Sequence, residues 1–334
     1  MASIYRLLPQ LLGQEGSVQQ VICLSGPRQW ESALFAGDGR RLAGPESVPR
    51  LPSGPAALTE TGEAVYFQMG ITSGRVLFVC GGGHVSRPVC QLAALLGFQV
   101  TVADDRPEFA DRRRFPQAEE VVCAPFEEAL ARPIPPGSSF VILTRGHQFD
   151  LACLRAVLGL RPGYVGMIGS RHKVAQTFRL LREAGVPQEA LDQVHAPIGL
   201  DIGAQTPEEI AVSIAAELIQ YHAGSGTVPL EQEAARLLSG PAPAVVCTVL
   251  SKQGSVPRGP GARMVVTRAE AAGTVGGGAV EYAALRRARD LLESGGTAPV
   301  RVRYDLSGQD AQRLGMVCGG TVELLLEPVA GREA

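Results

Sequence analysis

The chain has 334 residues, of which 45% are hydrophobic, and its formal net charge is −2 at pH 7. This length is sufficient for two domains with cores of their own. A nearly neutral chain has no general basic field with which to bind nucleic acid, and no apolar run approaches the roughly 20 residues of a membrane-spanning helix. We therefore expect a globular protein that binds neither nucleic acid nor membrane.

The seven cysteines are scattered, odd in number and without a C-x-x-C pair. This pattern excludes a disulfide framework or a zinc site built on cysteine pairs, and it fits a reducing compartment. The N-terminal stretch MASIYRLLPQLLGQ lacks the basic region, long apolar segment and cleavage site of a signal peptide. The expected location is the cytoplasm.

The first segment, residues 1–72, is predicted to be β-rich. An amphipathic helix from Ile4 to Leu12 comes first, and the runs VQQVICLS and AVYFQMG then have the composition of strands between turn-rich pieces. VQQVICLSGP resembles AVVCTVLSKQ near the other end of the chain, and a further β run follows each. Two interpretations stay open: the ends are related β units packed in one domain, or two β-rich segments simply look alike.

Residues 73–225 alternate short apolar runs with helical patterns. The runs VLFVC, FQVTVAD, EEVVCAP, SSFVILT and GYVGMIG are typical of buried strands. Such strands, alternating with helices, indicate a parallel sheet covered on both faces. The predicted fold class is α/β: a Rossmann-type doubly wound parallel sheet, with a second, smaller glycine-rich, β-rich (α+β) domain.

The first strand of this segment ends in a turn that resembles a dinucleotide-binding fingerprint. Gly81 permits a tight turn, Gly83 lets the backbone approach a phosphate, and Ser86 takes the third small position. Asp104 ends the next strand, where an acidic side chain would accept a hydrogen bond from a ribose hydroxyl. His84 stands at the helix start and either faces solvent or contacts the ligand. NAD(P) is thus a candidate ligand of this turn.

A second strand–turn–helix unit occurs in GYVGMIGSRHKVAQTFRLL. Gly169 and Ser170 turn the chain, and Arg171, His172 and Lys173 open the helix. Positive side chains at a helix N-terminus oppose the helix dipole unless an anion sits among them. The alternatives are an anion site and a solvated basic helix start.

The rest of the chain is predicted to be a linker and a module. The linker, residues 226–242, is bounded by glycine and proline and has room for one short helix. The module, residues 243–334, is rich in β runs and contains one clear helix from Val280 to Glu293.

Three glycine-rich loops join the β runs of this module: QGSVPRGPGARMVV, GTVGGGAVE and GMVCGG. Such loops expose main-chain N–H groups that can bind anions, and Gly277 and Gly278 stand at a helix start. Arg258 and Arg263 add guanidinium groups suited to a phosphate or a planar polar heterocycle. Plain tight hairpins are the alternative interpretation.

Taken together, these motifs resemble the XdhC/CoxI family of accessory proteins. The matching pieces are FVCGGGHVSRP, TVADDRPEFADRRRFPQAEEV, GYVGMIGSRHK, IGLDIGAQTPEEIAVSIAAELI, GSVPRGPGARM, GTVGGGAVE and GMVCGGTVELLLEP. They cover nearly everything after residue 73. The resemblance implies a carrier that binds molybdenum cofactor (molybdopterin), protects it during sulfuration and delivers it to an apo molybdenum hydroxylase such as xanthine dehydrogenase.

The resemblance also implies site residues. Arg258, Arg263 and Glu281 would meet the pterin edge, and Cys318 matches the family's second cysteine, which is either a soft metal ligand or a small residue in a tight turn. The family commonly has a cysteine where this chain has Ala279. No thiol can therefore act from that position.

A second departure from the family concerns domain order. The glycine-rich module usually precedes the Rossmann domain, whereas here it follows. Segment 1–72 would then be a decayed copy of the module in its usual place. The implied partners are the apo-hydroxylase and a cysteine desulfurase, and a homodimer is a further candidate.

An alternative from another class is an NAD(P)-dependent oxidoreductase. It would use Gly81, Gly83 and Asp104 on the nucleotide and His147 or His172 in catalysis. A nucleotide-sensing protein without turnover is a third interpretation. No nucleophile–base–orienter trio can be assembled from the sequence, so a carrier is favoured over an enzyme, and no catalytic residue or protein-only metal site is assigned.

Overall fold

The structure is a computed structural model and describes residues 3–62, 64–254, 258–305 and 320–332. In chain order, its strands are β1 (Ser17–Cys23), β2 (Ser32–Ala36), β3 (Arg41–Ala43), β4 (Ala57–Thr61), β5 (Ala64–Ser73), β6 (Arg75–Cys80), β7 (Phe98–Asp104), β8 (Glu120–Cys123), β9 (Ser139–Ile142), β10 (Tyr164–Met167), β11 (Val194–His195), β12 (Thr227–Leu230), β13 (Ala244–Gly254), β14 (Arg263–Val266), β15 (Ala271–Gly273), β16 (Val300–Asp305) and β17 (Gly320–Val329). Its helices are α1 (Ile4–Glu15), α2 (Ser86–Leu95), α3 (Phe126–Leu130), α4 (His147–Leu158), α5 (Arg171–Glu183), α6 (Gln188–Leu191), α7 (Pro207–Gly224), α8 (Gln232–Ser239) and α9 (Gly278–Glu293).

The chain forms two compact units. The central unit is Gly74–Ser225, and the terminal unit combines Met1–Ser73 with Gly226–Ala334. Each unit has its own sheets and core, and each is described separately below.

The central unit is built on a parallel sheet. Its described strands lie in the order β11-β10-β9-β6-β7-β8, and every pair is parallel. After β6 the chain forms β7 on one side of β6 in the sheet, and it later forms β9 on the other side of β6. A crevice is expected where this order reverses, at the carboxyl ends of β6 and β9. The predicted Rossmann-type sheet is confirmed.

Strand β6 shows why this sheet is covered on both faces. Leu77 and Val79 point into one buried cluster, whereas Phe78 and Cys80 point into the other. Successive side chains of a strand face opposite sides, so a run that is apolar at every position requires helices on both. Each fully buried large apolar side chain contributes about 1.5–3 kcal/mol.

The terminal unit contains two sheets with the same strand order. One runs β3-β2-β1-β5, with β4 and β12 both paired to β5, and the other runs β15-β14-β13-β17-β16. In the first sheet, α1 precedes the antiparallel strands β1, β2 and β3, and β4 and β5 follow after an intervening segment. In the second sheet, α8 precedes the antiparallel strands β13, β14 and β15, and β16 and β17 follow after an intervening segment. This correspondence supports the interpretation that the two ends of the chain are related β units.

A pair of glycines occupies equivalent places in these two sheets. Gly44, after β3, has φ +93°, and Gly273, at the end of β15, has φ +83°. A Cβ at Gly44 would overlap the carbonyl oxygen of Ser32, the first residue of β2. A Cβ at Gly273 would overlap the carbonyl oxygen of Arg263, the first residue of β14. Both halves thus require glycine at the same point for the same steric reason.

Residues 226–242 were predicted to be a linker, and the structure corrects this. β12 pairs in parallel with β5, and Leu230, Leu237 and Leu238 are buried in a core that also contains Leu8 of α1. The flanking glycine and proline indicated a connection with room for one short helix, and that helix is α8. The apolar residues of α8 nevertheless form one helical face, which the terminal unit buries.

Candidate functional site

The turn after β6 is shaped by three successive glycines. Gly81 has φ +108°, and a Cβ there would overlap the carbonyl oxygen of Leu143. A Cβ at Gly82 would overlap the carbonyl oxygen of Phe109, whereas a Cβ at Gly83 would meet no atom within 4 Å. The first two glycines are therefore required by the fold, and Gly83 leaves its backbone open to an approaching ligand.

Helix α2 begins directly after this turn. Ser86 is 0% exposed and its hydroxyl has no described hydrogen-bond partner, so it acts as the small packing residue that the fingerprint predicts. His84 is exposed at the turn. The exposed position of His84 leaves both of its predicted interpretations open.

Asp104 is bound inside the protein rather than displayed at the surface. Its side chain is 1% exposed, and it accepts the backbone N–H of Gly82 at 2.8 Å. Arg106 donates to it from Nε at 2.9 Å, from Nη2 at 3.0 Å and from its backbone N–H at 3.0 Å. The predicted contact of Asp104 with a ribose hydroxyl is corrected by this arrangement, because its oxygens already serve the glycine turn and Arg106.

Cationic side chains surround the ends of β6 and β7. Arg145, after β9, donates from Nη2 to Oδ2 of Asp105 at 2.8 Å and also donates from Nη1. The guanidinium of Arg106 stacks on Phe109, 3.6 Å from the ring centre, and Arg114 donates to the carbonyl of Gly82 at 3.1 Å. This edge of the sheet therefore holds both carboxylates and guanidinium groups close to the turn.

The second predicted anion loop lies at the same edge of the sheet. Ser170 caps α5 by accepting the backbone N–H of Lys173 at 3.3 Å, after Gly169 ends the turn from β10. Arg171, His172 and Lys173 are all exposed. Because β6 and β10 are parallel strands of one sheet, both turns lie at its carboxyl edge.

The glycine turn before α9 binds a carboxylate of its own helix. Gly276, Gly277 and Gly278 have φ values of +135°, +74° and +58°, which glycine adopts without a steric penalty. The carboxylate of Glu281 accepts the N–H of Gly277 at 3.1 Å and the hydroxyl of Thr274. Glu281, predicted to meet a pterin, therefore caps its own helix.

Arg263 is buried in a polar network rather than placed at a surface. It donates to Gln20 and, at 3.3 Å, to the hydroxyl of Thr248. Gln20 donates to the hydroxyl of Tyr5 at 3.1 Å, and that hydroxyl donates to Glu327. The prediction that Arg263 contacts a cofactor is corrected, because its guanidinium joins the two halves of the terminal unit.

The remaining predicted residues have different outcomes. Arg258 is exposed, and no described residue pairs with it. Cys318 and the side chain of His147 lie outside the described part of the chain. In the described part, no group of three or more His, Cys, Asp or Glu side chains is placed to hold a metal ion, and no helix is long and apolar enough to cross a membrane.

One polar cluster was missed by sequence reasoning. His195 on β11 contacts the buried carboxylate of Glu217 on α7, and Tyr164 donates to the same carboxylate. These residues are dispersed in the sequence and form no recognisable motif. Only the packing of α7 against β10 and β11 brings them together.

Two family models match the chain. The XdhC Rossmann domain matches residues 77–218, and the XdhC and CoxI family matches residues 237–305. The chain belongs to the XdhC and CoxI family. In this XdhC/CoxI protein the Rossmann domain comes first along the chain, as the sequence motifs indicated.

Two curated relatives match less than half of the XdhC/CoxI protein. The uncharacterized protein YqeB of Escherichia coli (strain K12) is 40% identical over 146 residues, which are 43% of this chain and 27% of YqeB. A probable xanthine dehydrogenase subunit of Bacillus subtilis (strain 168) is 35% identical over 145 residues, which are 43% of this chain and 42% of that protein. The chain thus spans well under half the length of either relative.

A solved structure is also similar. It is a crystal structure of a xanthine dehydrogenase from Bacillus halodurans, 28% identical, with 70% of this chain and 69% of that chain covered and a TM-score of 0.49.

Proposed function

We propose that this XdhC/CoxI protein is an accessory factor for a molybdenum hydroxylase such as xanthine dehydrogenase. It binds molybdenum cofactor, shields it during sulfuration and delivers it to the apo-hydroxylase, with a cysteine desulfurase as a further partner. Membership of the family, across both the Rossmann domain and the glycine-rich segment, carries the proposal. The name of the Bacillus subtilis relative supports the choice of client.

The Rossmann domain fits the phosphate end of such a cofactor. Gly83 leaves open space at the start of α2, and free N–H groups at a helix N-terminus favour an anion. Arg171 and Lys173 are exposed at the start of α5, on the same edge of the sheet. The cofactor would supply the molybdenum chemistry of the client enzyme, and these residues would hold its phosphate.

In the glycine-rich segment, one of the side chains predicted to meet a pterin is exposed. Arg258 is exposed and suited to a heterocycle edge, whereas Glu281 and Arg263 are engaged within the fold. Ala279 offers no thiol. Among the predicted contacts, Arg258 is therefore the described side chain that is free for the pterin.

Titration of the purified protein with molybdopterin, followed by fluorescence, tests the proposal. We expect saturable binding that weakens at least about tenfold in an Arg171→Ala, Lys173→Ala double variant, because two charge-assisted hydrogen bonds are lost. Arg179→Ala, an exposed residue of the same helix, is the matched control and should bind normally. Absence of saturable binding to the unaltered protein would show that the proposal is wrong.

Binding of NADP(H) by the Rossmann domain is the second candidate, favoured by the guanidinium groups beside Asp104 and Asp105. Proteins that accept a 2′-phosphate place an arginine near this position. Purification distinguishes the candidates: pterin fluorescence after acid oxidation indicates the first, and nicotinamide absorbance the second. Tight stoichiometric NADPH without pterin affinity would replace the first proposal with the second.

A further inference from the structure

A buried carboxylate organises the outer edge of the Rossmann sheet, three strands away from β6. Glu217 on α7 is 6% exposed. It accepts the hydroxyl of Tyr164 at 3.0 Å and the backbone N–H of Gly199. Its Oε1 also lies 2.5 Å from Nδ1 of His195. The carboxylate of Glu217 thus faces a hydroxyl, a backbone N–H and an imidazole nitrogen.

Two glycines make this arrangement possible. A Cβ at Gly166 would lie 2.7 Å from the hydroxyl of Tyr164 and would overlap the side chain of Ile198, so a larger residue here would have to displace one of them. Gly199 has φ +99°, and a Cβ there would overlap the hydroxyl of Ser213. The loop after β11 is thus held in a conformation that aims its N–H at Glu217.

The contact with Glu217 favours one tautomer of the histidine. A carboxylate oxygen accepts hydrogen bonds, so the tautomer that suits this contact carries its proton on Nδ1 and keeps a lone pair on Nε2. No described residue makes a hydrogen bond with Nε2. The side chain is 36% exposed, so this lone pair is accessible.

A cavity adjoins the histidine. It is an open pocket of about 490 Å³, lined by Ala196, Pro197, Leu200, Gln220 and Tyr221 together with the His195–Glu217 pair. This volume lies in the range of small-molecule sites, which combine apolar walls with a few placed polar groups. Among the described residues that line it, no lysine or arginine lies beside the buried carboxylate, so anions are disfavoured.

We propose that this cavity, the His195 pocket, binds a small uncharged molecule whose O–H or N–H donates to Nε2 of His195, and that His195 is the base that removes this proton. In that step the Nε2 lone pair takes the proton, and the ligand keeps the bonding electrons as its conjugate base. The resulting imidazolium is stabilised by Glu217, which is a positioning residue. The activity is separate from cofactor carriage and does not depend on it.

Labelling with diethyl pyrocarbonate, resolved by mass spectrometry, measures the accessibility and nucleophilicity of each histidine. In the full chain, we expect His195 to react at least about fivefold faster than the exposed control His172, because the carboxylate activates its ring. Phenol, an uncharged O–H donor, should slow this labelling, whereas benzoate, an anion on the same ring, should not. Nitrogen-15 spectra should show the Nδ1–H tautomer.

Glu217→Gln keeps the shape of the pair and removes its charge. We expect slower labelling of His195, an unchanged rate at His172, and loss of the single tautomer. His195 reacting no faster than His172, or phenol protecting no better than benzoate, would overturn the proposal. These two readouts use the unaltered protein, so the test stands even where the Gln variant fails to fold.

Discussion

Arg145 and Asp105 form an ion pair across the carboxyl end of strand β6. Arg145 follows β9 and Asp105 follows β7, and β6 lies between those strands in the sheet. The hydrogen bond from Arg145 lowers the pKa of Asp105 below its ordinary value. The pair therefore lies at the reversal of strand order, where Rossmann folds bind nucleotides.

This ion pair predicts a preference among nucleotides. We expect NADPH to bind more tightly than NADH, because a 2′-phosphate can pair with the guanidinium groups, whereas Asp104 has no free oxygen for a ribose hydroxyl. Arg145→Ala should weaken NADPH about tenfold through loss of a charge-assisted hydrogen bond and leave NADH unchanged. Calorimetric titration measures both affinities.

The matched control for that variant is Arg155→Ala, an exposed position on α4. It removes the same charge from the same unit without touching the crevice. Equal affinity for NADPH and NADH in the unaltered protein would contradict the prediction.

The glycine turn predicts two different outcomes for similar substitutions. Gly81→Ala should lower the melting temperature by several degrees, because the added Cβ meets the backbone of Leu143 at an unfavourable φ. Gly83→Ala should leave the melting temperature unchanged, since its Cβ meets no atom within 4 Å. It should nevertheless weaken binding of an anionic ligand at the turn. Differential scanning calorimetry and titration separate the two effects, and a large loss of stability in Gly83→Ala would refute this account.

The buried network of the terminal unit predicts that the stability of this unit depends on pH. Burial raises the pKa of Glu327 from 4.5 to about 7, against the opposing effects of Tyr5 and Arg263. The folded chain thus binds this proton more tightly than the unfolded chain. The contribution of Glu327 to the free energy of unfolding is therefore fully present below pH 4.5 and is lost as the pH rises through 7. This loss amounts to at most about 3 kcal/mol.

Glu327→Gln should remove that part of the pH dependence. The chain has a single tryptophan, Trp30, which lies in the terminal unit, so its fluorescence reports urea unfolding of this unit. The measurement compares the free energy of unfolding of both proteins between pH 5 and 8. Parallel curves for the two proteins would show that Glu327 does not titrate in this range.

The stability of the central unit should change with pH in the opposite direction. Burial, assisted by the charge of Arg75, lowers the pKa of His222 from 6.5 to about 4. Its ring lies 3.2 Å from the hydroxyl of Ser139 and packs against Phe98. The unfolded chain takes up this proton first, so stability is present above pH 6.5 and declines as the pH falls toward 4.

Hydrogen exchange of α7 peptides monitors this unit separately. After correction for the intrinsic exchange rate of each amide, exchange should become faster as the pH falls from 6.5 to 4.5. In the His222→Gln variant this increase should be smaller. No difference between the two proteins would argue that His222 is not the titrating group.

Features that depend on near neighbours in the chain could be predicted from the sequence. The run FQVTVAD coincides with β7, and the predicted helix from Val280 to Glu293 is α9. The capping box at Thr206 and Glu209 is present at the start of α7. Spacing of apolar residues and hydrogen bonds between residues three apart are local quantities, so one sequence suffices to find them.

What the sequence by itself determined is therefore the succession of strands, turns and helices, and with it the Rossmann topology, whereas the likeness of the two chain ends needed the sheet topology to support it. Only the tertiary structure decided which charged groups are free to meet a ligand. Arg263 and Asp104 carry suitable chemistry but are held by Gln20 and Arg106, whereas His195 gains its chemistry from Glu217. Burial and pairing depend on residues that approach only when the sheets are packed, and a list of residue types does not contain that information.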